Sequence, residues 1–247
     1  MISVKELSKK YVSDSFALEN ISFELSEGEI CSYIGANGAG KSTTIKILAG
    51  ITSFDSGNVS VCGLNVAADS NGVKRKIGYV PESGNIFQSL TSFEYLEFIS
   101  RIHAIEKKVY VKRIFDFLEF FELKDEIKTP MSAFSKGMRQ KVLLIASLIH
   151  NPDVLLWDEP LNGLDYNSTV LLKDLMLELS MNGKTFFYST HNVDAFDNSA
   201  SRVIVLNHGM IVHNSLKQEG QNINELLSNL IDVSENKTKI EALKNSL

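Results

Sequence analysis

The chain has 247 residues, with 25 Lys and Arg against 30 Asp and Glu, and a formal net charge of −5. With 44% hydrophobic and 22% charged residues, it resembles an average soluble globular protein that can bury a core without disulfides. The acidic balance argues against a protein that coats DNA or RNA, so no nucleic-acid partner is expected. Because no 18-residue apolar stretch or secretory signal occurs in the sequence, we expect a cytoplasmic chain.

Short β-branched runs alternate with longer helical patterns, which predicts an α/β fold with a largely parallel sheet. The expected strands are Ile2–Glu6, Ala17–Glu24, Glu29–Ile34, Asn58–Val61, Ile77–Val80, Val154–Trp157, Thr185–Tyr188 and Val203–Leu206. The expected helices are Lys41–Ala49, Ser92–Ala104, Lys107–Phe121, Ser135–His150, Ser168–Met181 and Val193–Asn198.

The domain organisation follows from where these patterns change. Between about residues 87 and 150 only helices are expected, which suggests a helical subdomain inserted into the order of strands. A hairpin turn is expected at Asn207–Met210. We therefore expect a main domain at 1–213 and a C-terminal accessory tail, helical in pattern, at 214–247.

The two cysteines, Cys31 and Cys62, lie inside apolar runs. This setting is typical of small core residues in a protein from a reducing compartment. A disulfide between them is the alternative that the sequence leaves open.

Residues 35–42 match the phosphate-loop pattern G-x-x-x-x-G-K-S/T at every fixed position. The run follows an apolar strand and opens a helix, as a phosphate loop requires. Its glycines allow several backbone N–H groups to converge on one anion, and the helix N-terminus adds positive potential. We expect Lys41 to bind the β- and γ-phosphates and Ser42 to ligate Mg²⁺. The predicted nucleotide-binding residues of this segment are Gly35, Asn37, Gly38, Gly40, Lys41, Ser42 and Thr43.

The apolar strand Val154–Trp157 ends in two carboxylates, Asp158 and Glu159. Burying two acids at the end of a strand costs free energy unless they bind a cation or take part in a proton transfer. Together with the phosphate loop, they predict that Asp158 holds Mg²⁺ through water and that Glu159 polarises the attacking water. Capping of a following helix is the alternative role.

A second helix start with an S-x-G pattern lies at Ser135–Gly137, within the 117 positions that separate Lys41 from Asp158. A small GTPase would not need so long a stretch, whereas an inserted helical block explains it. Ser135 is suited to cap the helix, and such a terminus can also bind an anion.

The order of these motifs, continued by Leu161–Asp165 and Ser189–His191, resembles the nucleotide-binding domain of ABC transporters over about residues 2–213. The resemblance implies a P-loop NTPase sheet core with an inserted helical subdomain and a small N-terminal antiparallel β region. It also implies ATP and Mg²⁺ as cofactors.

Several residue roles are implied by this resemblance alone. Tyr11 matches the aromatic residue that stacks on adenine. Ser135 and Gly137 match the signature loop, which binds the γ-phosphate held by the opposite subunit. Asp165 matches the loop that crosses the dimer interface, and His191 matches the switch histidine that contacts the γ-phosphate and the attacking water.

Two positions depart from the family pattern. The signature usually reads LSGGQ, whereas residues 134–138 read Phe-Ser-Lys-Gly-Met. The usual metal-contacting glutamine is replaced by Glu82, which can still ligate Mg²⁺ but adds negative charge near the γ-phosphate. Both variations are similar to those of exporter-type cassettes sometimes called the ABC-2 group.

The resemblance therefore implies an ATPase subunit that dimerises, as a homodimer or heterodimer, around ATP. It would be peripheral on the inner face of the cell membrane and would power export through a separate transmembrane permease. The expected docking surface is the cleft between the Glu82 loop and the helix Ser92–Ala104, with Phe93, Tyr95 and Phe98 as apolar anchors. The alternatives are a soluble ABC-type ATPase acting on ribosomes or DNA, and a small kinase or GTPase.

Overall fold

The structure, a computed structural model, describes residues 1–11, 16–82, 88–191 and 199–217. Its strands are β1 (Ile2–Lys10), β2 (Phe16–Leu25), β3 (Ile30–Ile34), β4 (Ser56–Val61), β5 (Leu64–Asn65), β6 (Ile77–Val80), β7 (Val154–Asp158), β8 (Thr185–Thr190), β9 (Arg202–Asn207) and β10 (Met210–Leu216). Its α-helices are α1 (Lys41–Leu48), α2 (Ser70–Lys76), α3 (Ser92–Ile102), α4 (Lys107–Phe120), α5 (Lys136–Leu148) and α6 (Tyr166–Met181).

A six-stranded sheet in the order β10-β9-β3-β8-β7-β6 forms the centre of the fold. All of its pairings are parallel except the β9–β10 hairpin. Every residue of β3, β7 and β8 is buried, as expected for parallel strands covered by other elements on both faces. The predicted α/β class and parallel core are thus confirmed.

A smaller antiparallel sheet, in the order β2-β1-β4-β5, contains the N-terminus. Apolar side chains of β1, β2 and β4 pack with those of β3 and α1 in one core cluster. The expected N-terminal antiparallel region is therefore present, and its packing positions Tyr11, which follows β1, beside the start of α1.

Between β6 and β7 the described chain forms α3, α4 and α5 with two short 3-10 turns at Lys124–Glu126 and Met131–Ala133. The side chains that α4 and α5 bury form a second core cluster with Leu155 and Trp157 of the sheet. Trp157 is fully buried and donates its indole N–H to Ser147 Oγ over 3.0 Å, so it packs between the sheet and α5.

The expected strands and helices omit β5, α2 and β10, although the hairpin turn before β10 is expected. Helix α2 contains Ser70, Asn71 and Gly72, which are weak helix formers, and it buries only Val73. The side chain of Asp69 caps it by accepting a hydrogen bond from the Gly72 N–H at 2.8 Å. Because this seven-residue helix is held mainly by its cap, its sequence has no apolar periodicity from which a helix could be predicted.

The chain reverses between β9 and β10 at His208 and Gly209, which have φ values of 45° and 78°. The expected hairpin turn is confirmed, and its positive φ values suit the right-handed twist of the two strands. Strand β10 continues to Leu216, past the expected domain boundary at 213. The predicted helix Val193–Asn198 and residues 218–247 of the expected tail lie outside the described residues.

Both cysteines carry free thiols; Cys31 is buried and Cys62 is half-buried, so the disulfide alternative is wrong. No helix within the described ranges combines the length and apolar character needed to cross a membrane.

Candidate functional site

The phosphate-loop segment lies between β3 and α1, as predicted. Glycine is required at two of its positions because the chain approaches other backbone closely. A Cβ on Gly35 would lie 2.5 Å from the carbonyl oxygen of Leu206, and one on Gly40 would lie 2.5 Å from that of Ala17. Gly40 also has a φ of +111°, which side chains disfavour. The loop is thereby held against β9 and β2 with its backbone open toward the start of α1.

Lys41 begins α1 and is buried, with 6% exposure. Its Nζ donates hydrogen bonds to the carbonyl oxygens of Gly35 at 2.8 Å and Ala36 at 3.2 Å. The same Nζ lies 3.9 Å from Glu159 Oε1. A positive charge is therefore fixed at the base of the loop, where it can bind an anionic phosphate group.

The two carboxylates at the end of β7 are both buried, Asp158 with 1% and Glu159 with 6% exposure. Ser189 of β8 holds them in place: its hydroxyl donates to Asp158 Oδ1 at 2.5 Å and accepts from the Glu159 backbone N–H at 3.0 Å. Asp158 Oδ2 is buried and has no hydrogen-bond partner among the described residues. An unpaired buried carboxylate oxygen is costly, and this one is therefore a candidate metal ligand.

Glu159 brings three of the predicted residues together. Its Oε1 lies 2.9 Å from His191 Nδ1 as well as 3.9 Å from Lys41 Nζ. Its φ of +51° is in the left-handed region, which non-glycine residues seldom adopt. His191 follows β8 and is half-exposed, so it closes the polar cluster on the solvent side. The cluster thus places a cation and an imidazole in contact with one carboxylate, which can act as a base.

Glu82 and Tyr11 lie on either side of the start of α1. Ser42 Oγ donates to Glu82 Oε2 at 3.4 Å, and the Tyr11 hydroxyl lies 3.4 Å from Thr43 Oγ1. A cavity of about 310 Å³ joins these residues to the phosphate loop and to Glu159. Its lining comprises Tyr11, Ala17, Asn37, Gly38, Gly40, Lys41, Ser42, Thr43, Glu82 and Glu159.

Ser135, Gly137 and Asp165 do not line this cavity; they form a separate cluster at the starts of α5 and α6. Ser135 Oγ accepts a hydrogen bond from the Met138 N–H at 3.1 Å, so the expected N-cap is confirmed. A Cβ on Gly137 would lie 2.3 Å from the carbonyl oxygen of Gly163, which explains the glycine. Asp165 caps α6 by accepting from the Ser168 N–H at 2.9 Å.

Sequence reasoning missed two positioning contacts at the site. The hydroxyl of Ser189 bonds the Asp158 carboxylate and the backbone N–H of Glu159, although the sequence indicated this residue only as a neighbour of His191. The side-chain amide of Gln140 on α5 donates to the carbonyl oxygen of Pro160 at 3.0 Å and so ties the Ser135 helix to the segment after Glu159. An isolated Gln inside an apolar helix was the only signal available for it.

Comparisons with known proteins agree with this geometry. The family profile described as ABC transporter matches residues 18–162. An uncharacterized ABC transporter ATP-binding protein of Methanocaldococcus jannaschii is 38% identical over 212 residues, covering 86% of this chain and 76% of that protein. The Nod factor export ATP-binding protein I of Ralstonia nicotianae is 31% identical over 209 residues, covering 85% of this chain and 65% of that protein.

Among solved structures, similarity extends over the whole cassette. The dimeric structure of a post-hydrolysis state of an ATP-binding cassette, bound to ADP and phosphate, matches with a TM-score of 0.80 and 26% identity. The match covers 89% of this chain and 100% of that chain.

Proposed function

Because the chain belongs to the ABC transporter family of ATP-binding cassettes and is an ATPase, we propose that it powers export through a separate transmembrane permease. Export is supported by the Nod factor export relative, of which this chain spans 65%. The Glu82 and Lys136 variations, which are similar to those of the ABC-2 exporter group, add to that support. The proposed location is peripheral, on the inner face of the cell membrane, where the permease would bind it.

ATP binding is assigned to the cavity beside the phosphate loop. The N–H groups of the loop and of the start of α1 would receive the phosphates, and Lys41 would exchange its bonds to Gly35 and Ala36 for bonds to phosphate oxygens. Tyr11 lines the cavity with its side chain half-exposed and Lys9 Nζ 5.6 Å from its ring centroid, and the ring would stack on adenine.

The side-chain oxygen atoms in and beside the cavity fit Mg²⁺, which prefers hard oxygen ligands. Ser42 Oγ and the Glu82 carboxylate are adjacent, and the buried Asp158 Oδ2 lacks a hydrogen-bond partner within the described part of the chain. Ser42, Glu82 and Asp158 would hold the ion, with Asp158 acting through a water molecule. Bound there, Mg²⁺ would neutralise charge that develops on the β- and γ-phosphates.

Hydrolysis is assigned to Glu159 and His191. The buried Glu159 carboxylate would take the proton of the attacking water, and His191, 2.9 Å from it, would orient that water against the γ-phosphate. Lys41, whose Nζ lies 3.9 Å from the same oxygen, would balance its negative charge. This meeting of Lys41 and His191 on one buried carboxylate oxygen is the observation that carries the proposal.

Dimerisation would complete the site. Ser135 and Gly137 lie at the start of α5, outside the cavity of their own subunit, so they would contact the γ-phosphate bound by the opposite subunit. Asp165, fixed at the start of α6, would cross between the two subunits. ATP would then bind most tightly in the closed dimer, which couples nucleotide binding to a rigid-body motion.

The permease is proposed to dock in a cavity of about 510 Å³ between β6, α3 and α5. Its apolar walls include Tyr79, Tyr95 and Ile99, and Pro81 brings the edge of the cavity next to Glu82. Of the three expected anchors only Tyr95 lines the cavity; Phe93 packs on Phe115, and Phe98 is exposed on α3 outside the lining. Glu82 would thus connect the docking surface to the nucleotide.

The deciding experiment for catalysis is the Glu159→Gln variant, compared with Glu119→Gln on the exposed face of α4. We expect Glu159→Gln to retain ATP binding, to lose turnover by about a thousandfold and to accumulate as an ATP-bound dimer in size-exclusion chromatography. The Glu119→Gln control should hydrolyse ATP normally. Near wild-type turnover of Glu159→Gln would sink the general-base assignment.

The permease is tested by affinity purification of the tagged chain from detergent-solubilised native membranes. Recovery of a polytopic membrane protein at matching stoichiometry would support the transporter assignment. Recovery only from the soluble fraction, together with ribosomes or nucleic-acid-binding proteins, would contradict it.

A further inference from the structure

A second cavity of about 510 Å³ lies away from the nucleotide site, between α4, α6, the C-terminal end of α5 and the start of β7. None of the residues predicted to bind nucleotide or metal lines it. Its volume is in the range of small-molecule sites, which are mostly apolar with a few polar groups. The apolar lining consists of Phe117, Phe120, Leu148, Leu155, Leu175 and Leu179.

The lining of this cavity includes a positive charge, Arg113, that has no anionic partner within the described part of the chain. Arg113 is half-buried on α4 and donates one N–H to the carbonyl oxygen of Ile149 at 2.8 Å. Among the described residues no carboxylate lies within ion-pair distance of its guanidinium, which has four further N–H donors. A half-buried guanidinium beside apolar walls is suited to a carboxylate, which it can bind through two parallel hydrogen bonds.

The other charged side chains of the cavity are already paired. Lys184 contacts Asp153 at 3.7 Å and donates to the carbonyl oxygen of Asn151 at 3.3 Å. Asp116 is 3.0 Å from Lys112. A ligand in this cavity therefore has to neutralise the charge of Arg113, and a ligand with a single negative charge is sufficient.

We propose that this cavity binds a free medium-chain fatty acid, with the carboxylate on Arg113 and the alkyl chain between Phe117 and Leu179. Burial of the alkyl chain of the fatty acid supplies affinity in proportion to the apolar area removed from water. The guanidinium supplies selectivity for the acid over an alcohol of the same length. The site is independent of the nucleotide-binding cavity, so it would remain even if the proposed transport function were wrong.

The test is isothermal titration of the full chain with sodium octanoate and, separately, with 1-octanol. We expect one saturable site with an affinity for octanoate about tenfold or more above that for octanol. Arg113→Gln should remove this difference while leaving octanol binding unchanged. Lys108→Gln, which removes a charge from an exposed position of the same helix outside the cavity, should bind both probes like the wild type.

Filling the cavity tests its location independently of charge. Leu179→Trp should abolish binding of both probes, and circular dichroism and ATP affinity should show that each variant is folded. Equal affinity for octanoate and octanol, an unchanged octanoate affinity in Arg113→Gln, or no saturable binding to the full chain would each overturn the proposal.

Discussion

Replacing His150 by Gln should make the stability of this protein less sensitive to acid. The His150 ring stacks on His103 with centroids 3.7 Å apart and an angle of 16° between the planes. Its Nε2 lies 2.9 Å from the carbonyl oxygen of Ile77, which can only accept, so Nε2 carries a proton and donates. The Nδ1 atom is buried and has no partner among the described residues.

These surroundings disfavour the protonated ring. Burial is the largest cause, followed by the neighbouring His103, Arg113 and Lys184, and together they lower the pKa of His150 from 6.5 to about 4. Burial also lowers the pKa of His103, so the stacked pair is neutral at pH 7. The carbonyl of Ile77 acts in the opposite direction but does not offset burial.

The sign of the effect follows from which state binds the proton. Below pH 6.5 the unfolded ring is protonated while the folded ring stays neutral down to about pH 4, so the free energy of unfolding falls as the pH is lowered through this interval. At pH 5 this effect lowers the free energy of unfolding by about 2 kcal/mol, since one pKa unit is about 1.4 kcal/mol. Because the ring is only half-buried, solvent screening reduces this loss to about 1 kcal/mol.

The assay is urea unfolding followed by the fluorescence of Trp157, which is the single tryptophan and is fully buried. Gln can still donate to the Ile77 carbonyl but does not titrate. Between pH 7.5 and pH 5 the wild type should therefore lose about 1 kcal/mol more of its unfolding free energy than His150→Gln does.

The control is His208→Asn, which removes an exposed imidazole from the β9–β10 turn with a residue that tolerates positive φ. This variant should keep the pH dependence of the wild type. If the wild type and His150→Gln lost equal stability on acidification, the assignment of a neutral, acid-sensitive His150 would be refuted.

Three further predictions concern the nucleotide site and the sheet. Lys41→Met should lower ATP affinity by about a hundredfold, measured by titration with a fluorescent nucleotide; unchanged affinity would contradict its role. Ser189→Ala removes the hydroxyl that holds Asp158, so turnover should fall about tenfold with little change in ATP affinity in steady-state assays. Gly78→Ala places a Cβ 2.1 Å from the carbonyl oxygen of Ser147 and should lower the free energy of unfolding in urea by about 1–3 kcal/mol. An unfolding midpoint equal to that of the wild type would show that this contact is not rigid.

Much of the fold was predictable from local patterns. The strand Ile77–Val80 has the predicted bounds, and the other predicted strands and described helices differ mainly at their ends. The phosphate loop was predictable because its glycines, of which Gly38 and Gly40 have positive φ, recur at a fixed spacing before Lys41. The cap of α5 was predictable because Ser135 bonds to an N–H only three residues ahead. Elements without such local signals, such as α2, were missed.

The arrangement of the site depends on contacts between distant parts of the chain. The phosphate loop and the acidic strand could be recognised from the sequence alone, because both patterns depend on neighbouring residues. The folded structure was needed to show that β8 lies between β3 and β7, which brings Ser189 and His191 to Glu159 and Lys41. It likewise separated Ser135 and Gly137 from the cavity of their own subunit. Strand order results from long-range pairing and packing, and a local pattern of side chains does not specify which strands become neighbours.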